Sequence, residues 1–340
     1  MFPQLIEKLV RHEDLTTEEA AAAMREVMEG RAAPAALAGL LAALVMKGER
    51  PDEIVGLART MREHAVKLAA PPGEAFDTCG TGGDRSGTFN VSSAAAVVVA
   101  SCGVRVAKHG NRSVSSRCGS ADVFEELGVN VAATPVVVER ALQEANIAFF
   151  FAPTFHPSMR HAAPVRREMG VRTTFNLLGP LTNPAGAARQ IVGVPRPELT
   201  QVMARALLLL GSERAWVVHG AGGIDEISTA GHTKVSECRG GSVHTFFIHP
   251  SDFGIARATP DDLRGGDAPQ NAAIVRQVIA GGRGAARDIV VLNAGAALYV
   301  AGRVGSVREG IAAAAAAIDS GAAGETLDRM ARASRAEAVA

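Results

Sequence analysis

Apolar residues recur at three- and four-residue spacing through the first seventy residues of this sequence. EEAAAAMREVMEG, AALAGLLAALVMKG and DEIVGLARTMREHAVKLA all show this period, which is typical of amphipathic α-helices. Thr16 and Glu19 have the spacing of a capping box, and Pro51 stands at the first turn of the last helix, where no N–H is needed. Residues 1–70 therefore predict an all-helical unit.

The pattern of apolar and polar residues changes after the Pro-Pro-Gly sequence at 71–73. Short β-like runs (EAFD, VRVAKHG, AFFFAP, RQIVGVP, AWVVHGA, DIVVLNAG) alternate with helical ones, a pattern typical of a mostly parallel sheet covered by helices. Residues 232–250 predict an antiparallel hairpin instead, and 164–188 predict loop and short helix. The alanine-rich C-terminal stretch predicts a closing pair of helices.

Composition narrows the class of protein. In 340 residues, 35 Lys and Arg balance 35 Asp and Glu, which argues against a general nucleic-acid binder but leaves room for a local cationic site. The longest apolar run, 94–104, is too short to span a membrane, and the N-terminus reads as a helix and not as a signal peptide. Four cysteines without a C-x-x-C pair predict no disulfide framework, no zinc site and a reducing cytoplasm.

A glycine loop, DTCGTGGDRSGTFNVSS at 77–93, follows the first predicted strand. Ligands of parallel sheets bind at the carboxyl ends of strands, and glycines let backbone N–H groups approach an anion where the next helix begins. The G-x-G-x-x-G pattern fails at Arg85, and no lysine completes a Walker motif. The sequence predicts a phosphate loop of another kind, or else a tight turn capped by Asn90 or Ser92.

A cationic loop, KHGNRSVSSRCGS at 108–120, follows the next predicted strand. Its lysine supplies a point charge, its arginines planar forks and its four serines neutral donors. Because both loops follow strands of one predicted sheet, we expect them at the same edge, around a ligand with several phosphates and hydroxyls. A solvated basic loop is the alternative.

Asp225 and Glu226 are adjacent in the glycine-flanked segment 220–231. Magnesium prefers hard oxygen ligands and often binds through one or two carboxylates plus substrate phosphates. The pair therefore predicts a magnesium site beside the phosphate loops, with a solvated acidic turn as the alternative. No nucleophile elbow, H-E-x-x-H motif or Cys–His signature indicates a covalent mechanism.

Segment 151–186 carries the remaining chemistry, with two histidines and several arginines. Its arginines could bind a carboxylate through two parallel hydrogen bonds, or could form the exposed basic face of a helix.

Together these residues resemble the anthranilate phosphoribosyltransferase family over nearly the whole chain. The motifs occur in the family's order: GTGGD at 80–84, TFNVSS at 88–93, KHGNRSVSS at 108–116, GSADVFEELG at 119–128, HPSMRHAAPVRRE at 156–168, FNLLGPLTNPA at 175–185 and DEIS at 225–228. The resemblance implies transfer of phosphoribose from 5-phosphoribosyl 1-diphosphate to the amine of anthranilate, with release of diphosphate, in L-tryptophan biosynthesis.

The resemblance also implies an architecture. It is an α/β fold of the nucleoside phosphorylase and phosphoribosyltransferase kind, with a small all-helical N-terminal domain and a large α/β domain whose mostly parallel sheet is flanked by helices. The small domain would span 1–72 with a contribution from about 164–186, and the large domain 73–163 and 187–340. A cytoplasmic homodimer that binds small molecules, and neither nucleic acid nor membrane, is expected.

Site roles follow from the same resemblance. The implied contacts to phosphoribosyl diphosphate are Gly80, Gly83, Asp84, Thr88, Asn90, Val91, Ser92, Ser93, Lys108, His109, Gly110, Asn111, Arg112, Ser113, Val114, Ser115, Ser116 and Ser120. The implied Mg²⁺ ligands are Ser92, Asp225 and Glu226. The implied anthranilate contacts are Gly80, Asn111 and Arg166, with His109, His156 and Met159 shaping the acceptor channel. No single catalytic base is implied, because catalysis would be electrostatic and positional.

Three positions depart from the family pattern: Arg85 where glycine is frequent, Ser93 where threonine is usual and Cys118 where serine is common. Two other functions stay open. One is a pyrimidine nucleoside phosphorylase-like enzyme on the same fold, and the other is a nucleic-acid-binding paralogue without transferase activity. Asn111 with Arg166, and the acidic pair, argue against both.

Overall fold

The computed structural model describes residues 1–69, 73–113 and 117–336. The strands in these residues are β1 Phe76–Gly80, β2 Val106–Gly110, β3 Ile147–Phe151, β4 Arg189–Gly193, β5 Arg214–Gly220, β6 Thr233–Arg239 and β7 Ser242–Ile248. The α-helices are α1 Phe2–Val10, α2 Thr17–Met28, α3 Pro34–Lys47, α4 Pro51–Glu63, α5 Val91–Ser101, α6 Ser120–Glu126, α7 Pro135–Ala145, α8 Ala152–Phe155, α9 Ala163–Met169, α10 Phe175–Leu178, α11 Leu199–Leu209, α12 Ala268–Ile279, α13 Ala285–Val300, α14 Val307–Asp319 and α15 Ala322–Arg335. None of these helices has both the length and the apolar character needed to cross a bilayer.

The strands form a single sheet in the order β3-β2-β1-β4-β5-β6-β7. The pairs among the first five are parallel, and β6 and β7 add an antiparallel hairpin at one edge. The predicted α/β fold with a mostly parallel sheet is confirmed, and so is the hairpin over 232–250. Because β1 and β2 are neighbours, the loops that follow them leave the same carboxyl edge of the sheet.

One predicted strand is wrong. The run DIVVLNAG, 288–295, lies inside α13 and not in the sheet. This helix packs against α5 and α14 and is buried on nearly all sides, so its sequence lacks the polar stripe that marks a surface helix. A short apolar run does not by itself distinguish a buried helix from a buried strand.

The helical N-terminal unit is confirmed, including its capping box. The hydroxyl of Thr16 accepts the backbone N–H of Glu19 at 3.1 Å, and the Glu19 carboxylate accepts the N–H of Thr16 at 2.8 Å. Helix α9 packs on α3, and α10 packs on α4; one apolar core joins Leu44 of α3 to Leu178 of α10. The domain limits given above stay a prediction.

Arg62, near the end of α4, ties this helical unit to the α/β part of the chain. Its buried guanidinium donates to the carbonyl oxygen of Leu181 at 2.6 Å and to that of Leu210 at 3.3 Å. Leu181 precedes β4, and Leu210 lies between α11 and β5. Arg62 thereby joins α4 to the segments that lead into these two strands.

Candidate active site

A cavity of about 880 Å³ opens at the carboxyl ends of β1 and β2. Its walls come from the glycine loop, the cationic loop, segment 152–182 and the acidic pair Asp225 and Glu226. The fold therefore brings together four segments that lie far apart in the sequence. Met61 of α4 also reaches the cavity, so the helical unit contributes to its wall.

Most of the predicted contacts line this cavity. They are Gly80, Gly83, Asp84, Thr88, Asn90, Ser92, Ser93, Lys108, His109, Gly110, Asn111, Arg112, Ser113, Ser120, His156, Met159, Arg166, Asp225 and Glu226. The side chain of Val91 does not, because it is fully buried in the apolar core beneath the loop. Val114, Ser115 and Ser116 lie outside the described residues.

The glycine loop is shaped by two close approaches. A Cβ on Gly80 would lie 2.2 Å from Oδ2 of Asp225, and a Cβ on Gly83 would lie 1.7 Å from Nη1 of Arg172. Gly83 also has a φ of +77°, a region that side chains rarely adopt. Both glycines are therefore required so that a carboxylate and a guanidinium can approach the backbone.

The alternative of a turn capped by Asn90 is not what the structure shows. The Asn90 side chain makes no capping bond to α5, and its Oδ1 accepts instead from Nδ2 of Asn271 at 2.9 Å. The start of α5 thus keeps its backbone N–H groups for other partners. One of these, the N–H of Ser92, donates to Oε1 of Glu226 at 3.0 Å.

The acidic pair is not a solvated turn. Asp225 accepts the N–H of Gly82 at 2.9 Å while Glu226 accepts that of Ser92, so both carboxylates occupy donors of the phosphate loop. Protein surrounds them on every side except the cavity. This burial raises the pKa of both groups above the usual range, and the charge of Asp84 on Asp225, and of Asp225 on Glu226, raises it further.

The chemistry of these donors suits magnesium. Asp225, Glu226 and the hydroxyl of Ser92 offer hard oxygen ligands, which Mg²⁺ prefers. Among the described residues, no three His, Cys, Asp or Glu side chains converge to hold an ion by themselves. An ion here would complete its shell with water and substrate oxygens, which is usual for Mg²⁺ and unusual for structural zinc.

Several described residues of the cationic loop are bonded to other parts of the protein and are not simply solvated. Lys108 is 1% exposed, and its Nζ donates to the carbonyl oxygen of Thr78 at 2.6 Å. Arg112 pairs with Asp122 at 2.9 Å and Glu125 at 2.8 Å. Asp122 also accepts the N–H groups of Ser113 and Gly119. Acids of α6 therefore hold Arg112, Ser113 and Gly119 of the loop, and Lys108 lies beneath the cavity.

Two histidines form another part of the wall. The rings of His109 and His156 lie 5.3 Å apart. Burial lowers the pKa of His109 to about 3 and that of His156 to about 4, so both are neutral at pH 7. Nδ1 of His109 faces the carbonyl of Gly179 at 3.0 Å and must carry the proton. Its Nε2 is then a buried acceptor with no protein partner among the described residues.

Arg166 and Arg172 stand on the same wall. The Arg166 guanidinium lies 5.2 Å from the ring centroid of Phe175, which holds it by a cation–π contact. Arg172 donates to the carbonyl oxygen of Thr81 at 3.1 Å. Within the described part of the chain neither arginine forms an ion pair with a carboxylate. Both guanidinium groups are thus available on this wall to an anionic ligand.

Several residues of the site have no role predicted from the sequence. Arg172 crosses the glycine loop, Arg264 and Asn271 line the cavity, and Asp77 with Asn183 lies beneath it. Arg172 belonged to a basic segment, but its contact with a loop some ninety positions away left no local signal. Asp77 precedes the glycines and reads as an ordinary strand residue.

The chain is similar to known proteins along nearly its whole length. A family model described as glycosyl transferase family, a/b domain, matches residues 72–324, and one described as the helical bundle domain of that family matches residues 3–65. A Rubrobacter xylanophilus protein named anthranilate phosphoribosyltransferase is 53% identical over 98% of both chains. One of the same name from Moorella thermoacetica is 52% identical over 97% of both.

Solved structures agree with these relatives. The anthranilate phosphoribosyltransferase of Thermus thermophilus superposes with a TM-score of 0.91 at 46% identity, over 98% of this chain and 99% of that one. The Saccharomyces cerevisiae enzyme in complex with phosphoribosyl diphosphate and Mg gives a TM-score of 0.88 at 26% identity, over 98% and 97%.

The buried neutral His156 makes stability depend on pH. Its pKa is about 4 in the folded protein and about 6.5 when unfolded, so the unfolded chain takes up its proton first. Between pH 7.5 and 5.0 the wild type should lose about 2 kcal/mol of unfolding free energy through this group. In His156→Gln that part of the loss should vanish, as measured by urea unfolding at both pH values.

The exposed His244 of β7 supplies the matched control. His244→Gln should keep the pH dependence of the wild type. An identical loss between pH 7.5 and 5.0 in wild type and His156→Gln would contradict the prediction.

Proposed function

The chain belongs to the anthranilate phosphoribosyltransferase family of glycosyl transferases, and we propose how the walls of its cavity divide the work of that reaction. The protein is a magnesium-dependent pentosyltransferase of tryptophan biosynthesis, and its substrates are phosphoribosyl diphosphate and anthranilate. The pyrimidine nucleoside phosphorylase-like and nucleic-acid-binding alternatives have no support from this membership. The observation that carries the assignment of roles is that both donor loops and the acidic pair line one cavity.

Phosphoribosyl diphosphate binds between the glycine loop and the cationic loop. The backbone N–H groups of Gly82 and Ser92 point toward carboxylates across the cavity floor, and a phosphate oxygen can take the same donors. Lys108 adds a buried positive charge below. Ser92, Asp225 and Glu226 hold Mg²⁺, and the chemistry supplied there by the bound ion is neutralisation of charge on the departing diphosphate.

Anthranilate binds on the opposite wall, between segment 152–182 and the cationic loop. Arg166, held against Phe175, faces its carboxylate, and Asn111 and Gly80 complete the contact. The neutral His109 offers its Nε2 as a hydrogen-bond acceptor for the amine. An aromatic amine is unprotonated near pH 7, so its nitrogen can attack without a strong base.

The protein's contribution to the rate is electrostatic and positional. Negative charge develops on the diphosphate while C1 of the ribose becomes cationic. N–H donors of the glycine loop and the charge of Lys108 are already oriented toward the leaving group, and preorganised donors stabilise developing charge without reorganisation. Holding the amine on the other side of C1 adds the proximity contribution.

The function itself is tested by the fall of anthranilate fluorescence over time. We expect a fall that requires both phosphoribosyl diphosphate and Mg²⁺ and that EDTA stops. Asp225→Ala combined with Glu226→Ala should abolish most turnover and its dependence on Mg²⁺, since the hard ligands are gone. No change in fluorescence with folded wild-type protein would contradict the assignment and direct the search to nucleosides with phosphate.

Arg166→Ala should mainly weaken the use of anthranilate. Loss of a charged hydrogen-bond partner typically costs about 1.5–3 kcal/mol, so the KM for anthranilate should rise about ten- to hundredfold while that for phosphoribosyl diphosphate changes little. Steady-state kinetics with each substrate varied in turn give both constants. The adjacent Arg167 is exposed, and Arg167→Ala is the matched control. Equal anthranilate constants in the two variants would refute the assignment.

We also propose that the protein is a homodimer joined through its N-terminal helices. Helices α1 and α3 pack together, and they expose Val10, Val45 and Met46, at 68%, 42% and 84% of their surface. Light scattering at micromolar concentration should give twice the chain mass, and Met46→Glu should lower it because a charge cannot be buried there unpaired. A wild-type monomer would contradict this. The reducing cytoplasm stays a prediction.

A further inference from the structure

The ladder between β1 and β2 is shorter than the other ladders of the sheet. β1 pairs with β4 through five residue pairs, but with β2 only through Phe76 and Val106. Strand β2 meanwhile stays paired with β3 along its whole length. Beyond the first pair, β1 and β2 remain neighbours without ladder pairing, and this stretch lies directly below the cavity.

Buried side chains form hydrogen bonds with backbone groups where the ladder pairs are missing. Oδ1 of Asp77 accepts the N–H of His109 at 3.3 Å, and Nδ2 of Asn183 donates to the carbonyl oxygen of Ala107 at 2.7 Å. The two side chains also bond each other, Asn183 Nδ2 to Asp77 Oδ2, at 2.8 Å. Between the same two strands, Nζ of Lys108 in β2 donates to the carbonyl oxygen of Thr78 in β1. Polar groups left unpaired at such depth would be costly, so each bond has a structural reason.

The orientation of Asn183 is fully determined. Its Nδ2 has two acceptors, Asp77 and Ala107, and its Oδ1 accepts the N–H of Ala185 at 2.9 Å. A flipped amide would face two acceptors with an oxygen. Asp77 is fully buried. Burial raises the pKa of its carboxyl group, and the positive charge of Lys108 acts against this rise. Neither Asp77 nor Asn183 lines the cavity.

We propose that Asp77 and Asn183 form a wedge of side chains between β1 and β2 that takes the place of the missing ladder pairs and thereby positions Lys108 and His109 for the two substrates. The inference rests on the proposed function, in which Lys108 serves the diphosphate and His109 the acceptor. One carboxylate bonds the backbone of His109 and balances the charge of Lys108. The wedge residues are positioning residues, because they touch the reacting groups only through these two.

Asp77→Asn is the sharpest test because it preserves volume. The new amide can still accept from His109, but its nitrogen then faces the nitrogen of Asn183, and the charge opposite Lys108 is gone. We expect calorimetry with phosphoribosyl diphosphate and Mg²⁺ to give a dissociation constant raised at least about tenfold. Asn183→Ala removes the hydrogen-bond partner of Asp77 and should raise the dissociation constant similarly. If Asp77→Asn does not fold, the result with Asn183→Ala alone tests the proposal.

Ser236→Ala is the matched control. Ser236 is a fully buried residue of β6 whose hydroxyl bonds Thr200 at 3.0 Å, far from the cavity walls. Ser236→Ala should lower the unfolding temperature but leave the dissociation constant for phosphoribosyl diphosphate within about twofold of the wild-type value. Loss of a remote hydrogen bond changes stability and not the site. A purely structural role for Asp77 would give this same result, so the ratio of affinity loss to stability loss separates the two.

A double-mutant cycle tests the route through Lys108. If Asp77 acts through it, Asp77→Asn in a Lys108→Met background should weaken binding much less than in the wild type. Wedge variants that bind like the wild type, or a control that loses affinity equally, would overturn the inference. A wild type that binds no phosphoribosyl diphosphate with Mg²⁺ would overturn the proposed function as well.

Discussion

The proposed site depends on two carboxylates that lie where we propose that a polyanion binds. Asp225 and Glu226 face the cavity beside Asp84, and each accepts an N–H that a phosphate could also use. Like charges in a buried site raise each other's pKa, so this arrangement is unfavourable unless a cation joins it. In the proposed site, the oxygen ligands, the magnesium and the diphosphate therefore form one unit, in which the metal offsets the charge of the substrate.

The proposed anthranilate wall must bind a carboxylate while the neighbouring amine stays uncharged. Anthranilate brings one carboxylate and an amine that must stay unprotonated. The wall supplies Arg166, steadied by Phe175, and two histidines that burial keeps neutral. A neutral histidine can accept from the amine without adding positive charge near a ribose carbon that becomes cationic. The two halves meet at β2, where Lys108 and His109 are consecutive and, as strand neighbours, point to opposite faces of the sheet.

The helical unit has a share in this chemistry. Helices α9 and α10 pack against α3 and α4 of the helical unit. Arg166 of α9 and Phe175 of α10 nevertheless lie on the proposed acceptor wall. Arg62 of α4 bonds the carbonyls of Leu181 and Leu210 and so joins the helical unit to the segments before β4 and β5. The distance between the two walls is consequently set by how the helical unit docks, and not by the α/β part alone.

Short-range order could be predicted from the sequence wherever its causes lie a few residues apart. The Thr16–Glu19 capping box, the hairpin over 232–250 and the two donor loops after strands all depend on local spacing, and the motifs indicated the family. A run such as 288–295 could not be assigned, since burial on all sides removes the periodic signal. Only the tertiary structure decided that Gly83 yields room to Arg172, that the acids reach the glycine loop, and that Asp77 meets Asn183. Those contacts join residues about 90 to 140 positions apart, and strand order and helix docking, which local spacing does not encode, bring them within hydrogen-bonding distance.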